Sequence, residues 1–242
     1  MNVSISIVIP AYNEEKRLAS TLDRVVSFLA RGAWTSTEIL VVDDGSSDGT
    51  AEIARRYGGN VRLLANPGNR GKGYAVRHGM LAAAGDWILF TEADLSAPIE
   101  EMDKLFAAVR REPHRAQVAI GSRALDRSLI GVHQSVFREN AGRLFNLAMR
   151  LIAGLPYWDT QCGFKLFEGA PAREIFRRQR LERFGFDAEV LFIAQKLKYR
   201  IVEVPVRWSH AEGTKVRMLR DSVGMFLDLL RVRVNSWRGF YR

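Results

Sequence analysis

Residues 38–50 read EILVVDDGSSDGT. Ile39 to Val42 form an unbroken apolar run rich in branched side chains, the pattern of a strand covered on both faces. Asp43-Asp44-Gly45 ends the strand. Asp48 and Thr50 are turn and capping residues for a short helix over 50–57. The same unit recurs on either side. Residues 4–10 (SISIVIP) are a buried strand that stops at Pro10, and a helix over 14–29 follows with Leu18, Leu22, Val25, Val26 and Leu29 at helical spacing. Downstream come a strand over 61–65, a helix over 71–84, a strand over 87–91 (WILFT) that ends at Glu92-Ala93-Asp94, a helix over 99–111 and a strand over 118–121. Such alternation predicts βαβ units, hence an α/β fold with a mostly parallel central sheet flanked by helices. The second half is less regular, with helices expected over 135–153 and 187–196 and a strand over 201–206.

The chain has 242 residues, 47% apolar and 26% charged, an ordinary globular composition. No Pro/Gly/Ser linker, repeat or low-complexity run divides it, so it reads as one domain, 1–242, whose first 120 residues are the nucleotide-type half. A single cysteine, Cys162, excludes an internal disulfide and fits a reducing compartment. The longest stretch free of Asp, Glu, Lys and Arg is 13 residues, 1–13, whereas a membrane-crossing helix needs about 20. No secretory signal pattern opens the sequence. Charge is uneven: residues 1–100 carry a net −2 and residues 101–242 a net +11. A basic half of this kind predicts a phosphate-bearing partner, or else a solvated arginine-rich surface. No recognised nucleic-acid motif accompanies it, and acidic strand ends repel phosphate unless a cation intervenes. Nucleic acid is therefore not the expected partner.

In open α/β sheets, ligands bind beyond the carboxyl ends of the strands. Three such ends here are polar and acidic: 10–14 (PAYNE), 43–46 (DDGS) and 92–94 (EAD). Two carboxylates two residues apart after a strand can share Mg²⁺ or Mn²⁺ with substrate phosphates. Asp94 is the first choice of ligand, the alternative being a cap for the following helix. Asp44 can accept from a base N–H or a ribose hydroxyl. The turn 69–73 (NRGKG) can cradle phosphate with its backbone N–H groups or be a plain turn.

Taken in order and spacing, residues 7–14 (IVIPAYNE), 42–50 (VDDGSSDGT) and 92–94 (EAD) resemble the family 2 glycosyltransferases of GT-A fold. Residues 69–73, 121–123 (GSR), 159–167 (DTQCGFKLF), 186–189 (FDAE) and 208–215 (WSHAEGTK) are similar to the polyprenyl-phosphate hexosyltransferases, the group of dolichyl-phosphate β-glucosyltransferases and mannose synthases. The likeness spans nearly the whole chain, and its most specific piece is 159–167. It implies an inverting, metal-dependent transfer of a hexose from a nucleotide-sugar donor to a polyprenyl phosphate. UDP-glucose is the favoured donor, with GDP-mannose or another UDP-hexose as alternatives.

The same resemblance divides the labour. Pro10, Ala11, Tyr12, Glu14, Val42 and Asp44 would hold base and ribose. Lys72 would join the donor site, and Ala93 and Asp94 would contact diphosphate and Mg²⁺ or Mn²⁺. Arg123, Arg138, Gln161, Arg207, His210 and Lys215 would gather around the donor and acceptor phosphates, with Arg123 catalytic alongside Asp94. Glu92 departs from the usual Asp-x-Asp. It keeps the charge but adds a methylene, which ranks it below Asp94 as a metal ligand. Residues 121–215 would form the acceptor half.

A phosphate acceptor is already an anion and needs no general base, unlike a sugar hydroxyl. The Gln-x-x-Arg-Trp string of processive synthases is absent from the sequence. A lipid acceptor requires contact with a membrane. Val216, Leu219, Val223, Phe226, Leu230, Val234 and Trp237 recur every three or four residues in an amphipathic helix over 216–242, with arginines between them. Such a helix can lie on an anionic lipid surface or pack on the core. The expectation is a peripheral protein on the cytoplasmic face of a membrane. The alternatives are a transferase acting on a hydroxyl and a sugar-nucleotide-binding protein without turnover.

Overall fold

The computed structural model describes residues 3–111, 115–132, 150, 152–209 and 218–242. A seven-stranded sheet runs in the order β3-β2-β1-β4-β7-β5-β8. Its strands are β1 (Ile5–Ala11), β2 (Thr37–Asp43), β3 (Val61–Ala65), β4 (Trp87–Phe90), β5 (Val118–Ser122), β7 (Lys165–Glu168) and β8 (Ile201–Pro205). All run parallel except β7, which is antiparallel to β4 and β5. Two short strands, β6 (Ile130–Val132) and β9 (Trp208–Ser209), pair apart from it. Seven helices are described: α1 (Glu15–Arg31), α2 (Thr50–Tyr57), α3 (Lys72–Ala82), α4 (Met102–Val109), α5 (Gly169–Arg178), α6 (Phe186–Lys196) and α7 (Met218–Trp237).

Strand alternation explains why β1 is apolar on consecutive residues. Ile7 and Ile9 enter one core layer with Leu18, Leu22 and Val25 of α1. Val8 points the other way, into a layer with Ala75, Val76 and Met80 of α3. Both layers need apolar cover, so neither face of the strand is polar. Because β1 pairs parallel with both β2 and β4, the turns after the three strands open on the same edge of the sheet.

The elements expected over 50–57 and 61–65 form with those bounds. The helix expected over 99–111 begins as a 3-10 turn after Pro98, and its α-helical part ends at Val109. Strand β7 and helix α5 have no counterpart in the sequence reading. Lys165–Glu168 has no apolar alternation that marks a strand. Pro171 stands in the first turn of α5, where its missing N–H is no loss. The helix expected over 135–153 falls mostly outside the described residues.

Helix α7 carries two apolar sectors. Leu229 and Val232 are fully buried against the body, whereas Phe226, Leu230, Val234 and Trp237 of the expected stripe lie exposed, Trp237 at 79%. Leu227 widens that outward face at 48% exposure. No described helix is long and apolar enough to cross a membrane.

Candidate active site

The strand ends build a cleft of about 310 Å³. Pro10, Ala11, Tyr12 and Glu14 line it from β1 and the turn beyond, and Asp44 from the end of β2. Lys72 lines it from the first turn of α3, and Glu92, Ala93 and Asp94 from the turn after β4. Eight of the nine sequence-predicted donor residues thus share one cavity with Glu92, expected as a second metal ligand. Val42 does not line it, because its side chain is buried in the core beside Val8 and Ala75.

The cleft floor is tied down. Thr21 Oγ1 donates to the Ala93 carbonyl at 2.6 Å, and the Ser96 N–H donates to Asp94 Oδ1 at 2.9 Å. Asn13 and Leu95 hold φ of 53° and 47°, a left-handed backbone that non-glycine residues seldom adopt. For buried Leu95 that strain needs support from surrounding contacts, and it fixes the direction in which Asp94 leaves the turn.

Asp44 is buried, and its carboxylate accepts from Asn66 Nδ2 at 2.8 Å and from the backbone N–H groups of Arg70 at 3.1 Å and Gly71 at 2.7 Å. It therefore organises the 69–73 turn as well as facing the cleft. Asp48 receives the Glu15 and Thr50 N–H groups, at 3.1 Å each, and so joins the turn to α1.

Glu92 and Asp94 have separate surroundings. Lys72 Nζ lies 2.5 Å from Glu92 Oε1. Burial alone would raise the Glu92 carboxyl, but the Lys72 ammonium, with Arg123 and Lys165 beyond it, holds it below the usual carboxylate range. Asp94 has a looser cation, Arg17 Nη1 at 3.8 Å. Among the described residues no group of three or more His, Cys, Asp and Glu could hold a metal by themselves. A cation at Asp94 would have to complete its shell with oxygens from a ligand, and that donor set suits Mg²⁺ or Mn²⁺ shared with a diphosphate.

The basic side of the site comes from the neighbouring strands. Arg123 follows β5, and Asp159 holds it as a fork, Nε to Oδ2 at 2.7 Å and Nη2 to Oδ1 at 2.8 Å. Burial would lower the Arg123 guanidinium and raise the Asp159 carboxyl, yet each shifts the other way because they face one another. Arg207 follows β8, which pairs with β5, and donates from Nε to buried Glu101 at 2.5 Å. Gln161 lies beside this group. Its N–H donates to Asp159 Oδ1 at 3.2 Å, while its side-chain nitrogen is buried with no hydrogen-bond partner among the described residues. Arg138, His210 and Lys215 lie outside the described residues. Cys162 is buried, and desolvation first, then Asp159, push its thiol up to about 12, so it is no nucleophile at neutral pH.

Sequence reasoning missed Arg17, Ala75, Arg183 and Phe184, which also line the cleft with Asn69 and Gly71 of the expected turn. Arg17 is one helical turn beyond Glu14 and pairs with it at 2.8 Å, a spacing visible in the sequence. Arg183 and Phe184 arrive from the loop before α6 by tertiary packing alone.

A family model described as glycosyl transferase family 2 matches residues 6–176. Dolichyl-phosphate beta-glucosyltransferase of Drosophila melanogaster is 39% identical over 98% of this chain and 78% of its own length. The Homo sapiens protein of that name is 36% identical over 98% and 77%. Among solved structures, glucosyl-3-phosphoglycerate synthase from Mycobacterium tuberculosis in complex with Mn²⁺, UDP-glucose and phosphoglyceric acid superposes with a TM-score of 0.69. It is 21% identical and covers 95% of this chain and 79% of that one, a likeness of fold. With its acidic strand ends on one edge of a mixed sheet, the chain belongs to glycosyl transferase family 2.

Proposed function

We propose that this glycosyltransferase moves glucose from UDP-glucose to a polyprenyl phosphate of the dolichyl type at a membrane surface. Relatives named dolichyl-phosphate beta-glucosyltransferase, matching nearly the whole chain, support the donor and acceptor classes. The observation that carries the acceptor reading is the state of the carboxylates around the reaction centre. Glu92 is held by Lys72, Asp159 by Arg123 and Asp187 by Lys165. The Lys72 and Arg123 charges depress the first two against the effect of burial. A carboxylate locked on a cation is a poor base, whereas a hydroxyl acceptor requires a good one. The site presents cations and the unpartnered amide of Gln161, which suit an acceptor that is already an anion.

In this reading Pro10, Tyr12 and Asp44 receive the base and ribose, and Lys72 and the 69–73 turn face the diphosphate. A divalent cation, Mg²⁺ or Mn²⁺, held by Asp94 would neutralise the leaving diphosphate as a Lewis acid. Arg123 loses Nε and Nη2 to Asp159 and keeps its remaining N–H groups for a phosphate. Its rigid fork means that little reorganisation accompanies charge development. Attack by the acceptor oxygen on the face opposite the leaving group inverts the anomeric carbon.

The outward face of α7 is assigned to the lipid surface. Phe226, Leu230 and Trp237 are exposed there, flanked by Arg231, Arg233 and Arg238, so apolar anchors and positive charge meet an anionic bilayer together.

The test is turnover. Purified protein with Mn²⁺ or Mg²⁺, a short-chain polyprenyl phosphate and either UDP-glucose or GDP-mannose should yield a lipid-soluble glycosyl phosphate with UDP-glucose, lost in Asp94→Ala. Product from GDP-mannose alone overturns the donor. Absence of lipid product with tight UDP binding overturns the acceptor.

A further inference from the structure

The buried carboxylate of Glu189, on the first turns of α6, has no part in the chemistry above. It accepts from the Arg180 N–H at 3.0 Å, from the Leu181 N–H at 2.8 Å and from the Tyr241 hydroxyl at 2.6 Å. Both Glu189 and Tyr241 are fully buried. Tyr241 follows α7, and three further contacts seat that turn. Asn235 Nδ2 donates to the Tyr241 oxygen at 3.2 Å, Arg178 Nε donates to the Arg242 carbonyl at 3.0 Å, and the Arg180 guanidinium lies 4.0 Å from the Phe240 ring centre.

From Arg180 and Leu181 the chain passes directly into the cleft wall at Arg183 and Phe184. There it meets the 69–73 turn, backbone against backbone. The Tyr74 N–H donates to the Glu182 carbonyl at 3.0 Å, and Gln179 Nε2 donates to both the Gly73 and Leu181 carbonyls at 2.8 Å. A methyl group on Gly71 would stand 2.6 Å from the Glu182 oxygen, and one on Gly73 2.6 Å from the Leu181 oxygen, so the two loops approach as closely as glycine permits.

We infer that Tyr241 and Glu189 form a latch that positions the donor pocket. The hydroxyl holds the carboxylate, the carboxylate holds the 180–181 backbone, and that loop sets the wall formed by Arg183, Phe184 and the 69–73 turn. Tyr241 and Glu189 are positioning residues and touch no reactant. The latch also joins α7 to the donor pocket through a contiguous path of hydrogen bonds and the 180–184 backbone, whose energetic coupling the measurements below test. The inference rests on the cleft being the nucleotide site.

Tyr241→Phe keeps the buried ring and removes one hydrogen bond. Calorimetry with UDP and Mn²⁺ should show binding weakened by roughly fivefold, the share of one buried bond to a carboxylate. The donor KM should rise in step, while kcat at saturating donor changes by less than about twofold, the split expected for lost binding alone. Hydrogen exchange should quicken at 180–184. Glu189→Gln should be milder than Glu189→Ala, because its amide oxygen still serves Leu181 while its nitrogen faces Tyr241. In the wild-type protein, UDP with Mn²⁺ should slow exchange at 180–184 and at 239–242 together. Unchanged UDP affinity in Tyr241→Phe with only a lower melting temperature overturns the latch. So does wild-type protection confined to 180–184. A wild-type protein that ignores UDP overturns the donor reading itself, and shows no protection at 69–73 either.

Discussion

A methyl group on residue 163 would stand 2.4 Å from Glu92 Cδ and 2.8 Å from its Oε1. Gly163 is thus the point where the segment leading into β7 passes close enough for Glu92 to stay between it and Lys72. Gly163→Ala forces Glu92 aside, with a packing cost of about 1–3 kcal/mol, or roughly 2–12 °C in melting temperature. Turnover should fall more than Gly79→Ala, a core overpacking against Val8 and Val42 two turns along α3 from Lys72, lowers it at matched stability. Equal losses in the two variants would deny Gly163 a role in the site. The Glu92–Lys72 pair also has a pH signature. The folded protein holds the Glu92 carboxyl below its ordinary range, so in acid the unfolded chain takes up this proton first. The stabilisation is full above about pH 5 and drains as pH falls through the folded value. Glu92→Gln should cost about 1–2 kcal/mol at pH 7, since the pair is partly solvated. Its melting-temperature deficit against the wild type should shrink as pH falls from 6 to 3. Glu189, raised chiefly by burial, gives the opposite slope, and the difference between the two proteins cancels it. A deficit constant across that range would mean that the pair carries no net charge interaction.

Helix α7 shows what periodicity can and cannot say about an element. Spacing of three and four identified Phe226, Leu230, Val234 and Trp237 as one face. It could not say which way that face points, because a second apolar sector, Leu229 and Val232, lies around the same helix and takes the inward position. Asp228, tucked against Gly185, belongs to the inward side as well. The outward residues are less covered than Leu229 and Val232, which makes the two sectors separable by mutation. Phe226→Ser, Leu230→Ser and Trp237→Ser combined should lower the melting temperature by no more than about 3–6 °C, since surface changes usually fall within ±0.5 kcal/mol each. Each lost anchor removes about 1–2 kcal/mol of insertion, so partitioning onto vesicles with anionic phospholipid should drop by roughly two to four orders of magnitude. Leu229→Ser should do the reverse and lower melting temperature through the core. Sedimentation with vesicles decides it, and unchanged partitioning of the triple variant would remove α7 from the membrane surface.

At the scale of the molecule, the parallel strands β1, β2 and β4 were legible because they are largely buried on both faces and spell apolar runs. The polar residues that interrupt those runs, Asp44 and Glu92 to Asp94, could be placed on one edge before any coordinates. Strand β7 was not legible, because its Lys165 is a buried ammonium whose partner, Asp187, stands on α6. Arg183 and Phe184 reach the cleft only through the packing of that half against the 69–73 turn. The consequence is a cleft with donor contacts from both halves and a carboxylate, Asp94, whose nearest paired cation, Arg17 Nη1, stands off at 3.8 Å. If a cation binds there, it does so with diphosphate oxygens completing its shell, because the described residues supply no second ligand set. Cation and UDP must then raise each other's affinity by the same factor, as linkage requires. Mn²⁺ alone should barely move the melting temperature, and UDP alone only modestly. Both together at about 100 times the dissociation constant should stabilise by about 2.7 kcal/mol, or roughly 5–10 °C. Chelation should return the UDP complex to the modest shift, and Asp94→Asn should abolish the synergy while leaving the shift with UDP alone in place. Additive shifts, or a cation effect that survives Asp94→Asn, would place the metal elsewhere and leave Asp94 as a cap for the Ser96 turn.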